Sequence, residues 1–140
     1  MTDMAHDPSR EDVSAKLAPD HILSLLRALP AVFEALAGDA KLIARYGFGS
    51  RLHGDLWGNP MRVGTAWLDR FLQQTIEQQI FAPGDSDLFI ALENDDLRIF
   101  FCNEAHMHVG GNSAQLRRAL LASEPFNAVE MVGWIEAHGS

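Results

Sequence analysis

The pattern in this sequence that most favours a metal-binding site is Glu104, His106 and His108. Side chains alternate between the two faces of a β-strand, so positions spaced by two share a face. Two imidazoles and a carboxylate on one face suit a divalent metal, and His21 or His53 can add a ligand from elsewhere. The alternative is a polar strand face with an incidental pair of histidines, because metal sites usually draw ligands from several elements. A third interpretation is a binding face whose histidines titrate at about pH 6.5.

A second candidate site is a group of acidic residues around a predicted β-hairpin. The group consists of Asp85, Asp87, Glu93, Asp95 and Asp96. A calcium loop would need the D-x-[DN]-x-[DN]-G pattern with a closing glutamate, which this segment lacks. The carboxylates can steer and contact a basic protein. Their alternative role is to keep the hairpin edge from pairing with other strands.

The glycine-rich segment 47–55 matches no nucleotide-binding motif. A dinucleotide fingerprint would need glycine in place of Leu52, and a P-loop would need Gly-Lys followed by serine or threonine. Ser50, His53 and Asp55 contain the residue types of a nucleophile triad, but such triads are defined by geometry. We therefore interpret the segment as a surface loop.

Cys102 is the only cysteine, so the chain cannot form an internal disulfide. Asp96 and Glu104 lie near it in the sequence, and neighbouring carboxylates raise the pKa of a thiol. The sequence therefore predicts a partly buried cysteine and disfavours an activated nucleophile.

The first half of the chain predicts helices. Apolar residues at Ile22–Leu36 fall at offsets of 3, 4, 7, 10, 11 and 14, which is one face of a helix that Pro30 interrupts. Gly38 is a suitable end for that helix. A short helix is expected between Asp39 and Tyr46, and a longer one over Met61–Ile80.

The second half predicts a hairpin and two more helices. A turn at Asn94-Asp95 separates two strands, which gives a β-hairpin over about 87–109, and a third strand is possible within 46–57. Ser113 is expected to cap a helix to about Ser123, and Asn127 a last helix to about Ala137. The predicted fold class is α+β, with four to five helices packed on a small antiparallel sheet built around that hairpin.

The length of 140 residues suits one domain, and 47% of the residues are hydrophobic. Residues 1–18 are polar, acidic and aperiodic, so we expect a flexible acidic leader followed by a single globular domain over residues 19–140. No secretion signal and no transmembrane run is recognisable, which favours a cytoplasmic location by elimination.

The net charge is −8, from 11 basic and 19 acidic residues. Such a surface repels phosphate backbones and anionic lipids, so neither nucleic acid nor membrane is an expected partner. This charge can steer a basic protein towards the chain, but keeping the protein soluble is its default explanation.

These observations favour a non-enzymatic acidic binding protein, of the general type of an inhibitor or immunity protein that neutralises a basic partner. No cofactor is expected in that case. One alternative is a metal-binding protein, and a hydrolase if water completes the metal shell of Glu104, His106 and His108. Another is a homodimeric structural module. Core packing is the default expectation for Trp57 and Trp134, and self-association is the alternative.

Overall fold

A seven-stranded antiparallel sheet with three helices is the architecture of residues 10–51 and 58–136, which the computed structural model describes. Along the chain the elements are β1 (Arg10–Ser14), α1 (Pro19–Ala37), β2 (Lys41–Tyr46), β3 (Met61–Gly64), α2 (Thr65–Glu77), β4 (Leu88–Leu92), β5 (Arg98–Phe101), β6 (Met107–Gly110), α3 (Ala114–Ala122) and β7 (Met131–Glu136). A 3-10 turn, Phe126–Ala128, precedes β7. The strand order is β3-β2-β4-β5-β6-β1-β7, with every neighbouring pair antiparallel.

The helices cover one face of this sheet. In β2, Leu42, Ala44 and Tyr46 are buried, while Ile43 and Arg45 between them are partly exposed. This alternation is typical of an antiparallel sheet with one face packed on a core. The opposite face, called the open face below, therefore carries the residues that alternate with the core.

Helix α1 confirms the prediction from periodicity. Its stripe of apolar residues is buried, and the helix continues through Pro30, which is itself buried. Gly38 ends it with a φ of 65°, and its backbone N–H donates to the Glu34 carbonyl at 2.8 Å. Left-handed backbone of this kind favours glycine.

Helix α2 is fastened at both ends to the elements around it. The Thr65 hydroxyl donates to the Gly38 carbonyl at 2.8 Å, which ties the start of α2 to the end of α1. Towards its other end, the Thr75 hydroxyl is hydrogen-bonded to the hydroxyl of Tyr46 in β2. The Tyr46 ring also stacks on Phe71 at 5.9 Å between centroids. These contacts hold the helix layer on the sheet at the β2 end.

The predicted numbers of helices and strands are wrong, although the broad fold class, α+β, is correct. The described ranges contain three helices and a seven-stranded sheet, where four to five helices on a small sheet were expected. The segment 87–109 holds three strands, because a turn breaks the predicted return strand after Cys102. In that turn, the Ala105 N–H donates to the Cys102 carbonyl at 3.0 Å and Ala105 has a φ of 69°.

Three predicted helical segments are wholly or partly strands. Residues 41–46 form β2, whose buried residues follow a period of two over a run too short for a stable helix. The predicted helix over 61–80 begins with the strand β3. The last predicted helix is replaced by β7, a segment that contains valine, tryptophan and isoleucine, which favour strands.

The sheet extends into the segment expected to be a leader. Residues 10–14 form β1, which pairs with β6 on one side and β7 on the other. Leu17 is buried in the core, and its N–H donates to the Ala105 carbonyl at 2.8 Å. The first nine residues lie outside the described ranges. Within the described ranges, no helix is long and apolar enough to cross a membrane.

The β4–β5 turn is held by the start of α3. The Asn112 and Ser113 N–H groups donate to the carbonyls of Asp95 and Asp96 at 2.9 and 3.0 Å. Ser113 also caps α3 as predicted, since its hydroxyl accepts from the Leu116 N–H at 3.1 Å. Gly111 permits this approach. Its φ is 124°, and a Cβ added there would lie 2.3 Å from the Asp96 carbonyl oxygen.

We therefore expect Gly111→Ala to lower the free energy of unfolding by about 1–3 kcal/mol, as strained backbone sites do. Gly133→Ala in β7 is the matched control, because a Cβ there meets nothing within 4 Å. Urea titration of both variants measures the difference. Equal losses in the two variants would contradict this account of the turn.

Candidate functional site

A row of aromatic and charged side chains crosses the open face. Cross-strand pairing aligns Arg45 with Phe89, Phe89 with Phe100, and Phe100 with His108. The Arg45 guanidinium lies 5.6 Å from the centre of the Phe89 ring. The Phe100 and His108 rings make an edge-to-face contact, with their centres 5.2 Å apart and their planes at 80°. This row forms a partly apolar surface, and the His108 imidazole is its last group.

Next to this row, Glu11 of β1 lies between two cationic groups. Its carboxylate is 3.8 Å from Arg98 Nε and 3.5 Å from His108 Nδ1, and the three side chains are only 11–14% exposed. Asp95 makes a shorter ion pair with Arg98, at 2.7 Å. Charges removed from water to this degree must be paired. The contact of Glu11 with His108 is an ion pair, because its geometry lacks the direction of a hydrogen bond.

Cys102, at the end of β5, is the hydrogen-bond partner of His108. Burial is the largest influence on the Cys102 pKa and raises it. The bond to His108 and backbone hydrogen bonds with His106 and Glu104 outweigh burial, so the net pKa of Cys102 is lowered. For His108 burial acts downwards, but Cys102 and Glu11 together raise its pKa to about 9. Each group therefore shifts the pKa of the other towards its charged form, and the lowered pKa of Cys102 is contrary to the expectation from the nearby carboxylates.

The predicted metal ligands have separate surroundings. Glu104 is exposed in the β5–β6 turn, and His106 Nδ1 lies 2.8 Å from the Ser14 carbonyl oxygen. His108 contacts Cys102 and Glu11 as described above. Among the residues that the structure describes, no three or more His, Cys, Asp or Glu side chains are grouped to hold a metal ion. A metal at Glu104, His106 and His108 stays a prediction without a supporting contact here.

The five predicted partner-binding acids lie at two ends of β4. Asp85 and Asp87 precede the strand, and Glu93, Asp95 and Asp96 follow it. A strand of this length spans about 16 Å, so the two groups do not form one continuous patch.

Two of these acids have structural contacts. Asp87 Oδ1 accepts from the Asn103 backbone N–H at 2.7 Å and from its amide at 3.0 Å, which fixes the β5–β6 turn. Asp95 is paired with Arg98. Glu93 and Asp96 line one cleft of about 600 Å³ together with Lys41, so that cleft holds charges of both signs.

The strand β7 is an edge of the sheet that exposes large apolar side chains. Val132 is 61% exposed, Trp134 44% and Ile135 39%. Within the described residues β7 pairs only with β1, so its outer backbone groups have no strand partner there. The Arg10 guanidinium lies 5.4 Å from the centre of the Trp134 ring. A β-bulge at Val13/Ser14 leaves Gly133–Glu136 as the regular part of this ladder.

Sequence reasoning missed Glu11 and β7. The available signal for the strand was its content of valine, tryptophan and isoleucine over Met131–Glu136. In the glycine-rich loop, Ser50 is buried. His53, Asp55 and Trp57 lie outside the described residues. Comparison of the chain with family models, with curated proteins and with solved structures finds no match. The function must therefore be argued from this geometry.

We expect the His108 imidazole to titrate near pH 9, because its pKa is raised to about 9. Cys102→Ser and Glu11→Gln each remove a group that favours the imidazolium, so both should move the midpoint down towards 6.5. An NMR titration of the imidazole signals measures this, with His108→Gln to assign the signal. A wild-type midpoint near 6.5 would refute the proposed pairing.

The thiolate of Cys102 should form at lower pH in the wild-type protein than in His108→Gln. Iodoacetamide reacts with the thiolate, and the adduct reports one site because the chain has a single cysteine. We expect the pH profile of alkylation to move up in His108→Gln, because the group that lowers the Cys102 pKa is lost. His106→Gln is the neighbouring control. Identical profiles in all three proteins would show that His108 does not activate the thiol.

Proposed function

We propose that this chain is a protein-binding module that adds an extended segment of a partner to the outer edge of β7. The observation that carries the proposal is the run of exposed apolar side chains on a strand whose outer edge pairs with no other strand of the described residues. In strand addition, backbone hydrogen bonds supply affinity and alternating side chains supply specificity. An apolar edge of this kind otherwise favours aggregation, which natural sheets prevent with charges, prolines or bulges.

The other edge strand of the sheet is less suited to this role. β3 has four residues, whereas β7 has six. β3 also carries Arg62, whose guanidinium lies 3.6 Å from the Glu93 carboxylate and is 70% exposed. A charged side chain on a short strand is typical of a protected edge. The bulge at Val13/Ser14 protects only the beginning of β7.

The charge of the chain supports a partner of opposite sign. With a net charge of −8, the molecule attracts a basic protein over distances of about the Debye length, roughly 8–10 Å in physiological salt. The acids at both ends of β4 contribute to this field without forming a contact patch. In this proposal, charge increases the rate of encounter and β7 provides the binding surface.

The test compares Val132→Lys/Ile135→Lys with Trp67→Lys. Trp67 is 62% exposed on α2, so its variant is a control for loss of an exposed apolar group elsewhere. Peptides are selected from a random displayed library with the wild-type protein, and their affinities are measured by calorimetry. We expect the double variant to weaken binding at least about tenfold and the control to retain it.

Circular dichroism and urea unfolding confirm that the variants remain folded, which we expect because all three positions are exposed. Methylation of alternate backbone nitrogens in a selected peptide should also abolish binding, because strand addition needs those N–H donors. Selected peptides that bind the double variant as tightly as the wild type would refute β7 as the site.

A further inference from the structure

We propose that the open face carries a site for a small aromatic carboxylate, in which Arg45 binds the carboxylate and Phe89 and Phe100 contact the ring. This site is distinct from the proposed binding edge. Arg45 lies on β2, and the strand order places β7 five strand spacings away, about 24 Å along the sheet. The carboxylate site therefore does not depend on strand addition at β7.

Arg45 is a partly buried cation that lacks an acidic partner within the described residues. Its guanidinium lies 5.6 Å from the centre of the Phe89 ring. Among the residues that the structure describes, no carboxylate forms an ion pair with it. Its Nε is shielded from solvent and has no hydrogen-bond partner there. Because a charge withdrawn from water is costly unless it is paired, an anion from outside the chain would stabilise this group.

The two acids that flank β4 already have other partners. Asp87 Oδ1 accepts from the Asn103 backbone N–H at 2.7 Å and from its side-chain amide at 3.0 Å. Glu93 forms its ion pair with Arg62 at 3.6 Å. The net charge of −8 repels an anion at long range, but physiological salt screens this repulsion beyond roughly 8 Å. The guanidinium of Arg45 therefore dominates at contact distance.

Two phenyl rings continue from Arg45 across the open face. Phe89 is the cross-strand partner of Arg45, and Phe100 is the partner of Phe89. The two ring centres are 6.4 Å apart with their planes at 56°, and both side chains are partly exposed. A ligand ring can contact such tilted rings through its edge or its face. The ligand class that suits this row therefore combines an aromatic ring with an anionic group.

The charge of the row favours a carboxylate over a phosphate. His108, at the other end of the row, already faces the Glu11 carboxylate at 3.5 Å. Arg45 is thus the one cation of the row without an acidic partner among the described residues. A single guanidinium matches one negative charge, and its planar pair of N–H donors fits the two oxygens of a carboxylate.

Naphthoate is the probe, titrated into the isotope-labelled full-length chain and followed by NMR. We expect shifts of amide signals in β2, β4 and β5, with a Kd of about 1 mM for a ligand of this size. Naphthamide has the ring without the charge, and acetate has the charge without the ring. Each should bind at least about tenfold more weakly than naphthoate, because it makes only one of the two contacts.

Variants locate the site. Arg45→Gln should weaken naphthoate binding at least about tenfold. Arg45→Lys should also weaken it, because an ammonium keeps the charge but lacks the planar pair of donors. We expect a loss of about threefold in Phe89→Leu. Arg62→Gln is the matched control, since Arg62 is 70% exposed on the neighbouring strand and already paired with Glu93, and it should bind as the wild type does.

Several results would overturn this inference. They are the absence of any shift at about 10 mM naphthoate, equal binding of naphthamide, and unchanged affinity in both Arg45 variants. Tighter binding of naphthyl phosphate than of naphthoate would overturn the choice of a carboxylate. Val132→Lys/Ile135→Lys should retain naphthoate binding, so failure at Arg45 and failure of the proposed function at β7 are distinguishable.

Discussion

The burial of one apolar helix stripe against one face of the sheet determines the rest of this structure. Leu25, Leu26, Leu29 and Phe33 of α1 are fully buried, in one core with the inward residues of β2, β4, β5 and β6. Because side chains alternate along a strand, the residues between those that face the helices must lie on the open face. The open face can then hold charged and aromatic groups without cost to the core, and the sheet must end in two edges.

The strand β1 connects the two regions with functional potential. It brings Glu11 between Arg98 and His108, and its other side pairs with β7. The charge environment of Cys102 and the position of the proposed binding edge therefore depend on the same strand. Ser14 reinforces it from the helix side, since its hydroxyl accepts from the Met107 N–H at 2.8 Å.

The sequence predicted those elements whose signals are local. Helix α1 follows from its apolar period, α3 from its serine cap, and the β4–β5 turn from Asn94-Asp95. The strands β1, β2 and β7 depend on pairing with distant segments, and their short runs also fit helices or loops. The lowered pKa of Cys102 could not be predicted either. The carboxylates are its neighbours in the sequence and predicted a raised pKa, whereas the turn after β5 places His108 near enough to lower it. Trp134 is exposed because β7 is an edge strand, and this could be predicted only with knowledge of the strand order.

The central claim is that β7 is the edge to which a partner strand adds. Hydrogen–deuterium exchange, resolved to single residues by NMR, tests it most directly with and without a peptide selected for binding. In the free protein, the alternate amides of β7 that point away from β1 should exchange rapidly, because within the described residues no strand pairs with them. The account predicts that the bound peptide protects those amides in particular. Unchanged exchange in β7, with new protection at β3 or on the helices, would contradict it.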